Sequence, residues 1–315
     1  MKVLLACDYD NGGQMVALVR ALNKFTSHVA RLITFRRSYL AYEEDIFNPT
    51  PNKVEELCEW ADFFILGEVL ARNIQSEPIY KRINSSNCII RAGGSIARRY
   101  PQAYMAGGLS RIMKTGAYHD PTITSGVFPM AATVNMYHFD EWPAEKKEYE
   151  VPLKLVFSGT AQKQNDVHSG AIKAAWEELG KRYGPDIVEF VNIAGKSWTE
   201  TLAIKSQCHI CYDQLAIGAY ANSAVEGLYY HMPTFCYISG WCGTVHPDAP
   251  LISARSAEDI VSVTEGFIKD PDEMYELGKE GHEYAVRVHS AENAVVRWEN
   301  LIDFVRGDFC GGGQK

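Results

Sequence analysis

Residues 210–238 read ICYDQLAIGAYANSAVEGLYYHMPTFCYI, and the order of residue types in this stretch decides the fold. An apolar strand ends in Asp213-Gln214. A loop of small residues, Ile217-Gly218-Ala219-Tyr220-Ala221-Asn222-Ser223, then feeds a helix that the pattern places with Glu226 in its first turn. That helix stops at Met232-Pro233, and a second buried strand follows from Thr234 to Ile238. Small residues at a helix start let backbone N–H groups without an intrahelical partner come close to an anion, which suits a diphosphate. A carboxylate just inside such a helix can accept hydrogen bonds from both hydroxyls of a ribose.

On either side of this stretch, strands and helices alternate twice over. Lys2 to Cys7 reads as a buried strand, Asp8 to Gly13 as a glycine-containing turn, and Gln14 to Phe25 as an amphipathic helix with Val16, Leu18, Val19 and Leu22 on its apolar side. Strands at 29–35, 62–66 and 88–91 and a helix at 54–60 complete the first series. The second runs strand 153–157, helix 169–183, strand 187–193, helix 199–205 and strand 208–212. This alternation predicts two doubly wound parallel sheets, each covered on both faces. The chain has 315 residues, 46% of them hydrophobic, enough for two cores. The Pro-containing, charged stretch His138 to Val151 reads as the linker.

Composition narrows the class. No apolar run approaches a membrane span, and Asp8 and Asp10 interrupt the apolar start too early for a signal-peptide core. The eight scattered cysteines then read as reduced thiols of a cytoplasmic protein. Cys208 and Cys211 spell a CxxC, but residues three apart on a strand face opposite ways, so the pair reads as core thiols rather than as metal ligands. The net charge is −8; residues 1–150 hold 17 basic and 17 acidic side chains, whereas 151–315 hold 14 and 22. Between Val69 and His119, however, eight basic residues (Arg72, Lys81, Arg82, Arg91, Arg98, Arg99, Arg111, Lys114) face one acid, Glu77. Such a stretch can hold the phosphates of DNA or of a lipid-linked acceptor, or be dispersed over an ordinary surface.

The 210–238 segment resembles the donor-binding core of the GT-B superfamily of glycosyltransferases, and most of all its retaining, glycogen-synthase-like branch. That branch shows two glutamates eight positions apart, then a small-residue strand entry. The second glutamate falls on Glu226 and the entry on His231-Met232-Pro233-Thr234, while Gly218 stands where the first would be. Shorter members show Asp-Gln, a Gly-aromatic pair and a lone glutamate, as Asp213-Gln214, Gly218, Tyr220 and Glu226 stand here. The C-terminal third follows the superfamily's order as well, with Asp270-Pro271, Leu277-Gly278 and a last helix carrying Trp298.

The resemblance implies two Rossmann-like domains facing a cleft: 1–145 on the acceptor side, 146–290 for the nucleotide sugar, and 291–315 as a helix crossing back to the first. It implies sugar transfer from a nucleotide-sugar donor, a UDP-sugar, to an acceptor hydroxyl, with retention, without a metal and without a permanently bound cofactor. Glu226 would bind the ribose. Tyr220, Asn222, Ser223 and Ala224 would line the diphosphate, with Gly159, Lys163 and His168 from the loop after the strand at 153–157. Gly195 would meet the base, and Gly12 and Gly13 the diphosphate from the first domain. His119, Lys163 and Asp10 are the catalytic candidates: a histidine for the sugar or the acceptor proton, a cation for the leaving group, and a rival base. Plainer readings stand beside these. Asn11-Gly12-Gly13 also makes an ordinary βα turn, Lys163 a solvated loop lysine, and His119, next to Pro121, a surface turn. The acceptor is left open among a glycan, a glycolipid, a small molecule and a hydroxymethylpyrimidine base in DNA. Epimerisation or hydrolysis of a nucleotide sugar needs flanking carboxylates that the sequence does not place. Gly218 also admits a non-catalytic nucleotide-sugar-binding subunit.

Overall fold

The computed structural model describes residues 1–38, 45–93, 97, 99–116, 130–145, 150–158 and 167–308, with the backbone alone for 11, 130–132 and 167–169. The chain divides into two compact units: Met1–His138 with Ser290–Lys315, and Phe139–His289.

Unit 1 is built on a seven-stranded sheet. Its strands are β1 (Lys2–Cys7), β2 (Val29–Thr34), β3 (Ile46–Phe47), β4 (Phe63–Gly67), β5 (Cys88–Arg91), β6 (Met113–Gly116) and β7 (Met130–Ala132). The order is β3-β2-β1-β4-β5-β6-β7 and every pairing is parallel. Val3 to Cys7 are all fully buried, as a central parallel strand requires. Helix α1 (Gln14–Phe25) buries Met15, Leu18, Val19 and Leu22. Helix α2 (Pro51–Trp60) is capped by the Thr50 hydroxyl and buries Val54, Leu57 and Cys58. α3 (Glu77–Arg82) is a short connector. The chain order reverses between β1 and β4, the point where open sheets of this kind bind ligands outside the carboxyl ends of their strands.

In unit 2 the five strands are β8 (Leu153–Phe157), β9 (Val188–Asn192), β10 (Ile210–Tyr212), β11 (Thr234–Phe235) and β12 (Leu251–Ile252), all parallel, in the order β12-β11-β10-β8-β9. Here the reversal falls between β8 and β10. Around the sheet lie α4 (Val167–Tyr183), α5 (Trp198–Lys205), α6 (Asn222–Tyr229), α7 (Gly240–Val245), α8 (Ala257–Lys269) and α9 (Pro271–His289). Capping boxes start α5 at Ser197-Glu200 and α8 at Ser256-Asp259. The Leu277-Gly278 pair has a packing reason, since a Cβ at Gly278 would collide with the carbonyl oxygen of His231 where α9 crosses the end of α6. Helix α10 (Ala291–Arg306), capped by Ser290, packs against α1 within unit 1.

The expected pair of parallel α/β domains is what the chain forms. Some details depart from expectation; the two-residue strands β3 and β12 are among the additions. The stretch 234–238 pairs as a strand only over Thr234–Phe235, because Tyr237 N–H turns to the Gln214 carbonyl and Ser239 N–H to that of Gly218. Strands β6 and β7 (MKTG and MAA) carry no apolar alternation and were not expected. Among the basic residues, Lys114 is fully buried, its ammonium donating to the Leu109 carbonyl, so it offers nothing to a phosphate.

Candidate functional site

The site is best defined at the reversal point of unit 2, and it begins with the Asp213-Gln214 pair. Asp213 Oδ2 accepts the Ala221 N–H at 2.6 Å. Gln214 Oε1 accepts the N–H groups of Ile217 at 2.6 Å and Ala216 at 3.3 Å, and its amide donates to the Ala219 carbonyl. Two side chains at the end of β10 thus fold the loop 215–221 and aim the start of α6. Gly218 has φ +84°, and a Cβ there would lie 2.8 Å from Cβ of Ser239. The position expected to carry the first glutamate therefore excludes any side chain: the loop needs glycine there for its backbone.

Helix α6 starts at Asn222 with no side-chain cap, Ala221 being the N-cap residue. Glu226 therefore lies in the second turn rather than the first, a correction that follows from Asp213 holding Ala221 outside the helix. Side chains on a helix lean toward its N-terminus, so the carboxylate still serves the helix start. It is 5% exposed and held at both oxygens. Lys205 Nζ donates to Oε2 at 2.6 Å, and Trp198 Nε1 donates to Oε1 at 3.2 Å. Lys205 also donates to Ser223 Oγ at 2.9 Å, and Ser223 Oγ lies 3.0 Å from Ser158 Oγ at the end of β8. One network thus joins the ends of β8 and β10 to both ends of α5 and the start of α6.

The electrostatics are those of a dry polar cluster. Burial alone would push the Lys205 pKa down, but Glu226, Cys211 and Asp213 outweigh it and the value is raised, so the ammonium stays charged. Burial pushes the Cys211 thiol up to about 11 and the Tyr230 phenol, with Glu226 close by, up to about 12. Both remain protonated near neutrality.

The other expected residues fall variously. Ser223, Ala224 and Asn222 form the first turn of α6. Gly195 has φ +67° in the turn after β9. Tyr220 is a correction: it is buried, its hydroxyl 3.0 Å from that of Tyr284 and 3.1 Å from His289 Nε2, so the ring anchors the loop from inside unit 2. His168 lies in the first turn of α4, its side chain outside the described residues. Gly159, Lys163 and His119 also lie outside them. In unit 1, Gly12 and Gly13 have φ +78° and +69° and make the turn into α1. Asp10 is 1% exposed and accepts the N–H groups of Met15 at 3.0 Å and Val16 at 2.9 Å. Gly13, the N-cap residue of α1, has no side chain, and Asp10 supplies the missing cap. Its carboxylate is committed to the backbone, which disfavours the role of base.

Lys205, Trp198 and Ser158 were not among the candidate site residues read from the sequence. The signal for Lys205 was present but faint: a lysine at the end of an amphipathic helix ordinarily faces solvent, and only its spacing before a buried strand hinted otherwise. Among the described residues no three His, Cys, Asp or Glu side chains are grouped to hold a metal ion, and no helix is long and apolar enough to cross a membrane.

Comparison with known proteins gives the fold its class. No protein-family model and no curated protein sequence matches the chain. Solved structures do, along nearly the whole length. An alpha-glucosyltransferase in complex with UDP and a 13-mer DNA containing a HMU base superposes with a TM-score of 0.68 at 9% identity, covering 96% of this chain and 99% of that one. AviGT4, a glycosyltransferase involved in avilamycin A biosynthesis, gives 0.60 at 13% identity and 98% of each chain. The UDP-GlcNAc 2-epimerase from Neisseria meningitidis bound to UDP-GlcNAc gives 0.52 at 12% identity, over 96% of this chain and 100% of that one. The fold is that of the GT-B glycosyltransferases.

Proposed function

We propose that the chain is a glycosyltransferase that binds a UDP-sugar in unit 2 and passes the sugar to an acceptor hydroxyl, with unit 1 supplying the acceptor-side residues. The observation that carries this reading is the buried Glu226 carboxylate, held at the start of α6 beside Ser223, at the reversal point of a sheet whose fold is shared with UDP-binding glycosyltransferases. Glu226 has acceptor capacity left for a ribose diol, because an ionised carboxylate offers about four lone-pair sites. The start of α6, whose N-cap residue Ala221 makes no side-chain hydrogen bond, and the helix dipole suit the diphosphate, and charge on the leaving group is stabilised there without a metal. Lys163 and His168 would add cations to the same group. Retention with His119 at the transferred sugar remains part of the proposal, as do the nucleobase contact at Gly195 and the diphosphate contact at Gly12 and Gly13. The test is UDP release from a panel of UDP-sugars, with and without acceptors. Turnover supports an enzyme, whereas thermal stabilisation by UDP without turnover supports a binding subunit.

A second, narrower reading takes the acceptor to be a hydroxymethylated base in DNA. It is favoured by the structural neighbours solved with DNA and by the basic stretch of unit 1, of which Lys81, Arg99 and Arg111 are exposed. Arg82 is paired with Glu55 and Glu59, and the Arg72 guanidinium lies 4.4 Å from the Tyr80 ring centroid, so the patch is smaller than the sequence count. If DNA binds, Arg99→Ala with Arg111→Ala should lower the slope of log affinity against log salt by about one unit per lost phosphate contact. No binding to hydroxymethylated DNA at low salt would remove this reading and leave the donor site untouched.

A further inference from the structure

We propose that Lys205 is the positioning residue of the donor site, tying recognition of the ribose to recognition of the diphosphate by holding Glu226 and Ser223 at once. The inference rests on the donor reading above. An ammonium has three N–H donors, and three acceptors meet this one: Glu226 Oε2 at 2.6 Å, Ser223 Oγ at 2.9 Å and the Ser223 carbonyl at 3.4 Å. The side chain is 0% exposed, shut off from bulk solvent. Its donors being taken, Lys205 acts on a bound nucleotide through the residues it holds.

The consequences for those residues follow from donor and acceptor roles. Lys205 and the Trp198 indole each take one site on the Glu226 carboxylate, one on each oxygen, and so fix its plane. The remaining acceptor sites match the two O–H donors of a ribose diol. Ser223 Oγ accepts from Lys205 and so keeps its own proton to donate, either to Ser158 Oγ at 3.0 Å or to an anion at the start of α6. A cation buried in this way is retained at a desolvation cost that an apolar pair would avoid. A preorganised site gives such a group a purpose, since first-contact residues must be locked by those behind them.

The groups facing the Lys205–Glu226 pair are Cys211 and Asp213 from β10 and its end, Ser223 and Tyr230 from α6 and its end, and Trp198 from the start of α5. The Cys211 thiol and Tyr230 phenol stay protonated near neutrality, and Asp213 holds the Ala221 amide.

The experiment is calorimetric titration of UDP and 2′-deoxy-UDP into the full chain, as wild type, Lys205→Met and Lys205→Met/Glu226→Gln. The wild type should bind UDP and prefer it to the deoxy compound. Lys205→Met should lose roughly tenfold to a hundredfold in UDP affinity, the loss expected for a charge-assisted contact, and most of the ribose preference. The double variant, which leaves no unpaired charge inside, keeps the assay open should Lys205→Met not fold; it should show the same loss. Native affinity and native ribose preference in either folded variant would overturn the proposal, assigning the pair to stability alone. Absence of UDP binding by the wild type would instead remove the donor reading, and this proposal with it.

Discussion

The two reversal points use their buried carboxylates in opposite ways. In unit 1, Asp10 binds the backbone of α1, and Asp8 accepts the Ala71 N–H at 2.6 Å, so the acids at the end of β1 build the main-chain frame. In unit 2, Glu226 binds side chains, Lys205 and Trp198, and Lys205 binds Ser223. A carboxylate committed to helix amides is a structural part. One held by a cation and an indole is oriented with acceptor sites to spare, which is what a ligand-binding group needs. Chemistry is therefore assigned to the second network and architecture to the first.

The largest effect that can test this contrast is on stability. Glu226→Ala leaves the Lys205 ammonium buried without its partner and should destabilise the chain by roughly 3–5 kcal/mol, whereas Lys205→Met/Glu226→Gln should lose far less. Urea unfolding of the single and double variants measures the difference; equal losses would mean that the pair is not coupled. Asp10→Ala removes two charge-assisted bonds from the start of α1 and should lose about 2–3 kcal/mol by the same measurement. A folded Asp10→Ala protein of native stability but without turnover would reverse the assignment and return Asp10 to the role of base.

Gly218 sharpens the contrast from the loop side. Gly218→Ala places a Cβ at φ +84° and against Ser239, and should lower the melting temperature by the equivalent of about 1–3 kcal/mol. Gly218→Glu, which restores the two-glutamate pattern, should do no better. An unchanged melting temperature would show that the loop does not require glycine.

The last test is a pH dependence in unit 1. Burial, opposed by Cys88, depresses the Lys114 pKa to about 8. An unfolded lysine titrates near 10.4, so between about pH 8 and about pH 10.4 the unfolded chain binds more protons and this group's contribution to stability rises with pH. Raised tyrosine and cysteine values act in the opposite sense, so the test is a difference. The stability gap between Lys114→Met and wild type should change in favour of wild type across that window, and a flat gap would refute the depressed value.

Much of this was legible in the sequence, for reasons that can be named. The central strands announce themselves because burial on both faces demands continuous apolar runs, as in Val3 to Cys7. Asp213-Gln214, Gly218 and Glu226 stand out because loop geometry and helix starts restrict residue types. Strands β6 and β7 do not, being only four and three residues long and without apolar alternation. Lys205 was hidden because its neighbours in space, Ser223 and Glu226, lie 18 and 21 residues away in the chain. The inward contacts of the Tyr220 ring were hidden because its partners, Tyr284 and His289, lie 64 and 69 residues away.

The central claim is that the Glu226–Lys205–Ser223 network is the nucleotide site, and a crystal structure of the chain grown with UDP tests it most directly. The ribose hydroxyls should lie within hydrogen-bonding distance of the Glu226 carboxylate, and the diphosphate at the start of α6. UDP bound elsewhere, with the Glu226 carboxylate holding only Lys205 and Trp198, would contradict it.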